Sequence, residues 1–207
     1  SLKIPIAPVY APNHSFVRLF FNDGSFINWE PLEGTSLPNA WYISKLSIAE
    51  KSVKNGVYLK TLSRKEFLGV HYNSMGSYLF SNKKYSDAIP YFTMAISLNP
   101  TLSSAFHNRG CAYLATRRSD LALADLLKAE ELDPANAATH NTLADIYYDK
   151  KDYQNASRHY RAAIVLDPEN YVPYHNWGLL MKEIGKEDIA KKLLDKATEL
   201  KSKHSSK

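Results

Sequence analysis

Apolar and polar residues alternate along this chain with two different periods. From about residue 63 onward, apolar residues recur at helical spacing, and short polar turns such as residues 81–84 and 149–152 separate the helical stretches. Residues 14–21 and 26–30 read instead as two apolar strands, and the Asp-Gly pair between them favours a hairpin because both residues tolerate a positive φ. The pattern predicts a mainly α protein preceded by a small β-hairpin, with a further extended segment before the hairpin.

The helical part is a sequence repeat with a period of about 34 residues, present in four copies. One position of every copy holds a small residue that allows two helices to approach closely, and alanine occupies two later positions throughout. In chain order these residues are Gly76, Gly110, Ala144 and Gly178, then Ala88, Ala122, Ala156 and Ala190, then Ala95, Ala129, Ala163 and Ala197. Pro100, Pro134 and Pro168 end three copies, and Ser202 takes that position in the fourth. Repeats of this kind stack, and each unit is stabilised by its neighbours.

This pattern resembles the tetratricopeptide repeat (TPR) family from residue 69 to residue 202, without an insertion. The resemblance implies units at residues 69–102, 103–136, 137–170 and 171–202, each an antiparallel helix pair, stacked into a right-handed superhelix with a concave groove. We therefore expect a TPR array over residues 63–202, a hairpin segment and connector over 1–62, and a disordered tail at 203–207. A capping-box sequence at Ser63 and Glu66 predicts that the first helix begins near Arg64.

In TPR proteins the first helix of each unit lines the groove, through roughly the second, fifth, ninth, twelfth and thirteenth residues of the repeat. Amides at these positions suit a peptide backbone, aromatic rings suit apolar side chains, and the carboxylate of Asp145 suits a basic side chain. The resemblance thus gives as candidate partner contacts Asn73, Ser77, Phe80, His107, Asn141, Asp145, Tyr148 and His175.

One specific ligand is excluded by the residues at these positions. TPR domains that capture the C-terminal carboxylate of heat-shock chaperones use Lys and Asn in one repeat, Asn in the next, and Lys and Arg in the third. Asn108 matches the middle Asn, but Asn73, Ser77, Ala138 and Thr142 stand at the other positions, and moving the frame by one repeat is no better. Without those cations a terminal carboxylate would lose its charge-assisted hydrogen bonds.

The groove histidines and the single cysteine do not indicate a cofactor or a metal. His107 and His175 lie two repeats apart, and we expect neither to have a Cys or His at ligand spacing. Cys111 directly follows the packing residue Gly110, so we interpret it as a structural thiol rather than a nucleophile.

The N-terminal stretch VYAPNHSFVRLFFNDGSFINWEP resembles the latter half of a transglutaminase-like domain, and bacterial proteins join such domains to C-terminal TPRs. In that family His14 would be the catalytic histidine and Asn28 the orienting residue, with Glu30 a second choice. The nucleophilic Cys of the family stands well before the His strand, and only thirteen residues precede His14 here. A histidine with its orienting partner and no thiol cannot transfer an acyl group, so the pair would be a remnant. The alternative is that the hairpin caps the first repeat.

The net charge of +5 does not indicate a nucleic-acid partner. Lys and Arg outnumber Asp and Glu by 6 to 4 over residues 1–62 and by 8 to 5 over residues 182–207, but the middle of the chain is balanced at 12 to 12. A nucleic-acid binder more often concentrates positive charge on its folded body. No apolar run is long enough to span a membrane, which favours a soluble chain, with a cytoplasmic location preferred without being fixed.

These observations favour a non-enzymatic scaffold that binds a peptide or partner protein in the TPR groove. The rival hypothesis is that the chain is the C-terminal part of a transglutaminase-like cysteine hydrolase or acyltransferase. A monomer is expected because the last helix carries many charged residues, although Ile189, Leu193 and Leu200 could support weak self-association.

Overall fold

A computed structural model describes residues 6–11, 14–20, 26–30, 35–36 and 62–205 of the chain. The N-terminal part forms four antiparallel strands in sequential order: β1 (Ile6–Ala11), β2 (His14–Phe20), β3 (Phe26–Glu30) and β4 (Thr35–Ser36). The predicted hairpin and the extended segment before it are therefore confirmed as strands. The predicted hairpin turn and the connector after residue 36 lie outside the described residues.

Within the described residues 62–205, eight α-helices follow one another, joined by short turns. They are α1 (Arg64–Ser81), α2 (Tyr85–Leu98), α3 (Ser103–Ala115), α4 (Ser119–Leu132), α5 (Ala137–Asp149), α6 (Tyr153–Leu166), α7 (Tyr171–Glu183) and α8 (Glu187–Ser205). Consecutive helices pair within each unit, and each pair packs on the next one along the chain. The expected TPR superhelix is confirmed.

Polar side chains fix the starts of several helices. The Ser63 hydroxyl accepts a hydrogen bond from the Glu66 backbone N–H at 3.2 Å, and the Glu66 carboxylate accepts one from the Ser63 N–H at 2.8 Å. This capping box confirms that the first helix begins at Arg64, which makes α1 longer than α3. Asn136 and Asn170 cap α5 and α7 with their side-chain oxygens, as short polar residues commonly do.

The core of each unit depends on the small residues of the repeat. A Cβ added to Gly76 would lie 2.6 Å from the ring of Phe92, and one added to Gly110 would lie 2.9 Å from Cγ of Leu126. Phe92 and Leu126 are fully buried. The first helix of a unit therefore approaches the second too closely for a side chain at this position, as the sequence predicts.

The turn between the two helices of each unit contains one residue with a positive φ. Lys83, Arg117 and Lys151 have φ values of 60°, 60° and 59°, and Gly185 has 77° at the equivalent position of the fourth unit. The left-handed conformation costs an L-residue about 1–2 kcal/mol, so only the fourth turn carries the residue that adopts it freely.

The prediction of a disordered tail is wrong for residues 203–205, because α8 continues to Ser205. Glu199 accepts salt bridges from Lys196 at 3.0 Å and from Lys203 at 2.6 Å, one turn to either side. Such pairs three and four residues apart stabilise the last turns of this helix. Two of the apolar residues considered for self-association differ in exposure. Leu200 is buried and offers no surface to a partner, whereas Ile189 is exposed.

Candidate functional site

The first helices of successive units are joined by a periodic set of polar contacts. Asn108 donates to Oγ of Ser77 at 3.2 Å, and Asn176 donates to Oδ1 of Asp145 at 3.0 Å. At the junction between these two, Thr142 and Cys111 occupy the same pair of positions, and the influence of Thr142 opposes the rise in the pKa of the Cys111 thiol. The sequence separation is the same in every contact, so the same pair of repeat positions meets at all three junctions. We call this row of contacts the inter-unit ladder.

The predicted contacts of the first two units gather around one small cavity, the N-terminal groove cavity. Its volume is about 150 Å³, and its lining is Ser77, Phe80, Phe92, His107, Asn108 and Cys111. Asn73 lies beside it and accepts a hydrogen bond from Asn108 at 3.1 Å. The amides of Asn73 and Asn108 are therefore bonded to each other, in a neutral and half-buried setting.

His107 is part of the wall of this cavity. Its Nδ1 lies 3.0 Å from Oγ1 of Thr139, and its Nε2 lies 3.5 Å from Sγ of Cys111. Burial lowers the pKa of His107 to about 4 and raises the pKa of the Cys111 thiol to about 11, so both groups are neutral at pH 7. The expectation that His107 has no Cys at ligand spacing is wrong, because Cys111 stands one helical turn later.

A second cluster, the C-terminal groove cavity, forms between the third and fourth units. Its volume is about 220 Å³, and its lining is Asp145, Tyr148, Asp149, Tyr160, Asn176 and Leu179. Asp145 is the centre of the cluster, because Oδ1 accepts hydrogen bonds from the Tyr160 hydroxyl at 2.6 Å and from Asn176 at 3.0 Å. Asn141 donates to Oδ2 of Asp145 at 3.4 Å, while the Oδ1 atom of Asn141 is buried without a hydrogen-bond partner.

This end of the groove is acidic. Burial raises the pKa of Asp145, and the hydrogen bonds from Tyr160 and Asn176 oppose that rise. Nearby, Glu183 accepts hydrogen bonds from the hydroxyls of Tyr148 and Tyr153, which together lower the pKa of Glu183. Asp145, Asp149 and Glu183 thus place three carboxylates on one side of the third and fourth units.

Seven of the eight predicted groove residues fall into these two clusters, and His175 lies exposed on α7. Four residues that complete the clusters are absent from the predicted set: Asn108, Asn176, Tyr160 and Glu183. Asn108 and Asn176 carry a signal in the sequence, because each follows a polar side chain of the preceding unit at one constant spacing. Tyr160 comes from a second helix, which the groove rule does not consider.

His14 and Asn28 lie on neighbouring strands, but the register does not align them. Asn28 is opposite Arg18, four residues further along β2 than His14. The strand rise makes that offset about 13 Å along the strand direction. The pairing of these two residues as a catalytic remnant stays a prediction, and the register does not support it.

None of the helices in residues 62–205 combines the length and the apolar character that crossing a bilayer requires. In the same part of the chain one group of side chains has metal-ligand chemistry: Glu130, His140 and His159. It lies on helices of the second and third units and shares no residue with the lining of the two groove cavities.

Two models of the TPR family match the chain. The model described as Tetratricopeptide repeat matches residues 72–102 and 103–136, and the one described as TPR repeat matches residues 144–185. Neither match includes the strands, so the transglutaminase-like resemblance receives no support from them.

Among curated proteins, Hsp70-Hsp90 organizing protein 1 of Glycine max is 30% identical over 132 residues, which are 62% of this chain and 22% of that protein. Sperm-associated antigen 1 of Mus musculus is 31% identical over 138 residues, 67% of this chain and 15% of that protein. The chain therefore spans about a fifth or less of the length of these relatives.

Solved structures show the same fold at lower identity. The crystal structure of MamA has a TM-score of 0.62 and 22% identity, with 67% of this chain and 81% of that chain covered. PilF of Pseudomonas aeruginosa has a TM-score of 0.61 and 21% identity, with 67% and 63% covered. The sequence repeat, the helix pairs and the family models agree, and the helical region of this chain belongs to the tetratricopeptide repeat family.

Proposed function

We propose that this chain is a protein-interaction module whose groove binds an extended segment of a partner protein. The supporting observation is the C-terminal groove cavity, in which the half-buried carboxylate of Asp145 faces a space of about 220 Å³. TPR relatives include proteins named as organizers of Hsp70 and Hsp90, which fits a scaffold rather than an enzyme.

The charge of the cavity favours a basic side chain on the partner. Asp145 and Asp149 line the cavity. Glu183 lies beside the cavity, where it accepts a hydrogen bond from the Tyr148 hydroxyl. A Lys or Arg of the partner would bring a cation to a carboxylate whose burial disfavours its charged form, so the pairing relieves that cost. Leu179 and the ring of Tyr148 provide an apolar wall for the stem of such a side chain.

The N-terminal groove cavity supports a different kind of contact. Asn73, Asn108 and Ser77 form a neutral, mutually bonded set of amides and a hydroxyl, which suits the backbone of an extended peptide. The positions that bind a terminal carboxylate in chaperone-binding TPR domains hold Ala138 and Thr142 instead of cations. We therefore propose an internal segment with a basic residue, rather than a free C-terminus, as the ligand of this groove.

The test is a selection of random peptides on the immobilised full chain, followed by calorimetric titration of a selected peptide. The proposal expects selected peptides to share a Lys or Arg, and expects Asp145→Asn to weaken their binding by at least tenfold. Replacing that Lys by norleucine should weaken binding to the wild-type chain by a similar factor, and much less to the variant.

Asp195→Asn is the matched control, because it removes an exposed carboxylate from α8, outside the cavity. Equal binding to the wild type and to Asp145→Asn would contradict the proposal, as would an equal loss in Asp195→Asn. Circular dichroism of each variant establishes that the helices are retained.

A further inference from the structure

Three potential ligand atoms from three helices converge between the second and third units. Nδ1 of His140 lies 3.1 Å from Nδ1 of His159, and Oε1 of Glu130 lies 3.6 Å and 3.9 Å from these two nitrogens. Glu130 comes from α4, His140 from α5 and His159 from α6. We call this group the His-His-Glu cluster.

The separations of the three atoms match the dimensions of a transition-metal site. The point in their common plane that is equidistant from the three atoms lies about 2.1 Å from each, which is the length of a Zn–N or Zn–O bond. Two imidazoles and one carboxylate are also a ligand set that zinc uses when it keeps a fourth position for water or another ligand.

The hydrogen bonds around the two imidazoles define where their protons lie. Nε2 of His140 is 3.1 Å from the carbonyl oxygen of Pro134, which only accepts, so this nitrogen carries the proton and Nδ1 has an unprotonated lone pair. A ring N–H bonded to a backbone carbonyl is the usual way in which a metal-ligating histidine is oriented. His140 is therefore already in the tautomer that a metal requires.

His159 has the opposite tautomer in the absence of a metal. The guanidinium of Arg158, which only donates, lies 3.0 Å from Nε2 of His159, so the His159 proton is on Nδ1 and is donated to His140. Arg158 is exposed, and its movement into solvent allows the proton to shift to Nε2.

The cluster is buried beside a surface depression. His159 is 1% exposed and His140 is 7% exposed, and the ring of Tyr147 stacks on that of His159 with centroids 5.4 Å apart. His140 and Arg158 also line a surface depression of about 770 Å³, which extends along α6 to Val165 and Leu166. An ion can therefore enter on the side where Arg158 moves away.

We propose that the His-His-Glu cluster binds one divalent transition-metal ion of the zinc type. The ligands are Nδ1 of His140, Nδ1 of His159 and the carboxylate of Glu130, which leave a fourth position for water or another ligand. Because Glu130 belongs to the second unit and both histidines to the third, the ion cross-links two units of the array. The bound ion therefore stabilises the junction between α4 and the α5–α6 pair.

The first experiment is titration of the untagged, metal-free full chain with Co²⁺, followed by displacement with Zn²⁺. The proposal expects one Co²⁺ per chain with the intense visible absorption of a four-coordinate site, and complete displacement by Zn²⁺. Glu130→Gln retains the shape of a half-buried side chain and removes one ligand charge, and should weaken the binding of both ions at least tenfold. His140→Gln should weaken it further.

His71→Gln is the matched control, because it removes an exposed imidazole on α1 and none of the cluster. Binding that survives Glu130→Gln and His140→Gln but falls in His71→Gln would mean adventitious surface binding and would overturn the proposal. So would a wild-type chain that binds no Co²⁺.

A second readout does not depend on whether the histidine variants fold. Long-range ¹H–¹⁵N spectra of the imidazoles in the wild-type chain report which ring nitrogen carries the proton. Saturation with Zn²⁺ should move the His159 proton from Nδ1 to Nε2 and leave that of His140 on Nε2. An unchanged His159 tautomer at saturation would exclude ligation through Nδ1.

Discussion

The phenol of Tyr160, whose ring is fully buried in the third unit, donates a hydrogen bond of 2.6 Å to the carboxylate of Asp145 in the groove. The second helix of the unit therefore determines the position of a charge on the groove surface. Asn176 of the following unit donates to the same oxygen atom, so the carboxylate is fixed from two sides.

Tyr160→Phe should lower the free energy of unfolding by about 1.5–3 kcal/mol at pH 7, the cost of a lost hydrogen bond to a charged group. The pKa of Asp145 is raised in the folded chain, so its contribution to stability is complete below about pH 3.8 and is lost as the pH rises through the folded pKa. Removal of the Tyr160 hydroxyl raises that pKa further, so the destabilisation should grow with pH. Urea unfolding at several pH values measures it.

Tyr174→Phe is the control for this effect. The Tyr174 hydroxyl bonds a backbone carbonyl, that of Pro168, at 3.3 Å and at an exposed position. Its loss should cost less than Tyr160→Phe and should not depend on the charge of a carboxylate. Equal pH dependence in the two variants would contradict the role of the Tyr160 hydroxyl.

His107 should make the chain less stable in mild acid. Its pKa is about 4 in the folded chain and 6.5 as a free side chain, so the unfolded chain binds a proton that the folded chain does not. The stability that His107 contributes is complete above pH 6.5, falls as the pH decreases, and is lost through about pH 4. The loss is on the order of 3 kcal/mol, measured by denaturant unfolding across this range.

His107→Gln should make that pH dependence shallower by up to about 1.4 kcal/mol per pH unit. An exposed imidazole provides the comparison, and His71→Gln should leave a steeper dependence than His107→Gln does. If the two variants have the same slope as the wild type between pH 6.5 and about pH 4, the burial of His107 has no consequence for stability.

Two glycines should respond to alanine for different reasons. Gly185 has a φ of 77° and no atom within 4 Å of an added Cβ, so Gly185→Ala should cost roughly 1 kcal/mol through backbone strain alone. Gly110→Ala places its Cβ 2.9 Å from Leu126, and the overpacking should cost about 1–3 kcal/mol. Thermal unfolding compares the two.

A double-mutant cycle separates the two mechanisms. Leu126→Ala removes the atoms that the new methyl group of Gly110→Ala would meet, so this pair should couple favourably. Gly185→Ala and Leu126→Ala should be additive because the two sites share no contact. Additivity in the first pair would mean that the fit of Leu126 on Gly110 does not limit the approach of α3 and α4.

The Cys111 thiol should react slowly in the native chain. A pKa of about 11 instead of 9.0 lowers the thiolate fraction about 100-fold at neutral pH, and partial burial restricts access further. The rate of reaction with a disulfide reagent should therefore be at least about 100-fold lower in the native than in the urea-unfolded chain. Rates within a few-fold of each other would contradict the raised pKa.

Much of the fold could be predicted because the repeat encodes it directly. The close contact of Gly76 with Phe92 recurs one repeat later as that of Gly110 with Leu126, so one alignment locates both partners of the contact. The helix start at Arg64 could also be predicted, because Ser63 and Glu66 form a local capping box. The helical end at Ser205 was missed because it depends on salt bridges of Glu199 rather than on the repeat.

The site was harder to predict from the sequence because its contacts join different helices and different repeats. The groove rule finds Asp145 but not its donor Tyr160, which comes from the other helix of the same unit. The His140–His159 contact carries a usable signal, because Tyr72 and Tyr91 occupy the same two repeat positions in the first unit, with rings 6.3 Å apart. The third ligand of the His-His-Glu cluster comes from the preceding unit, and no spacing within one unit could identify it.

The side chains of the inter-unit ladder belong to the groove surface and also connect one unit to the next. Asn108 and Asn176 present their amides to the groove and also donate hydrogen bonds to the preceding unit. A partner that accepts a hydrogen bond from the Asn176 amide in place of Asp145 would break the hydrogen bond between these two residues, which joins the third and fourth units. Recognition in the groove and the polar contacts between units are therefore linked.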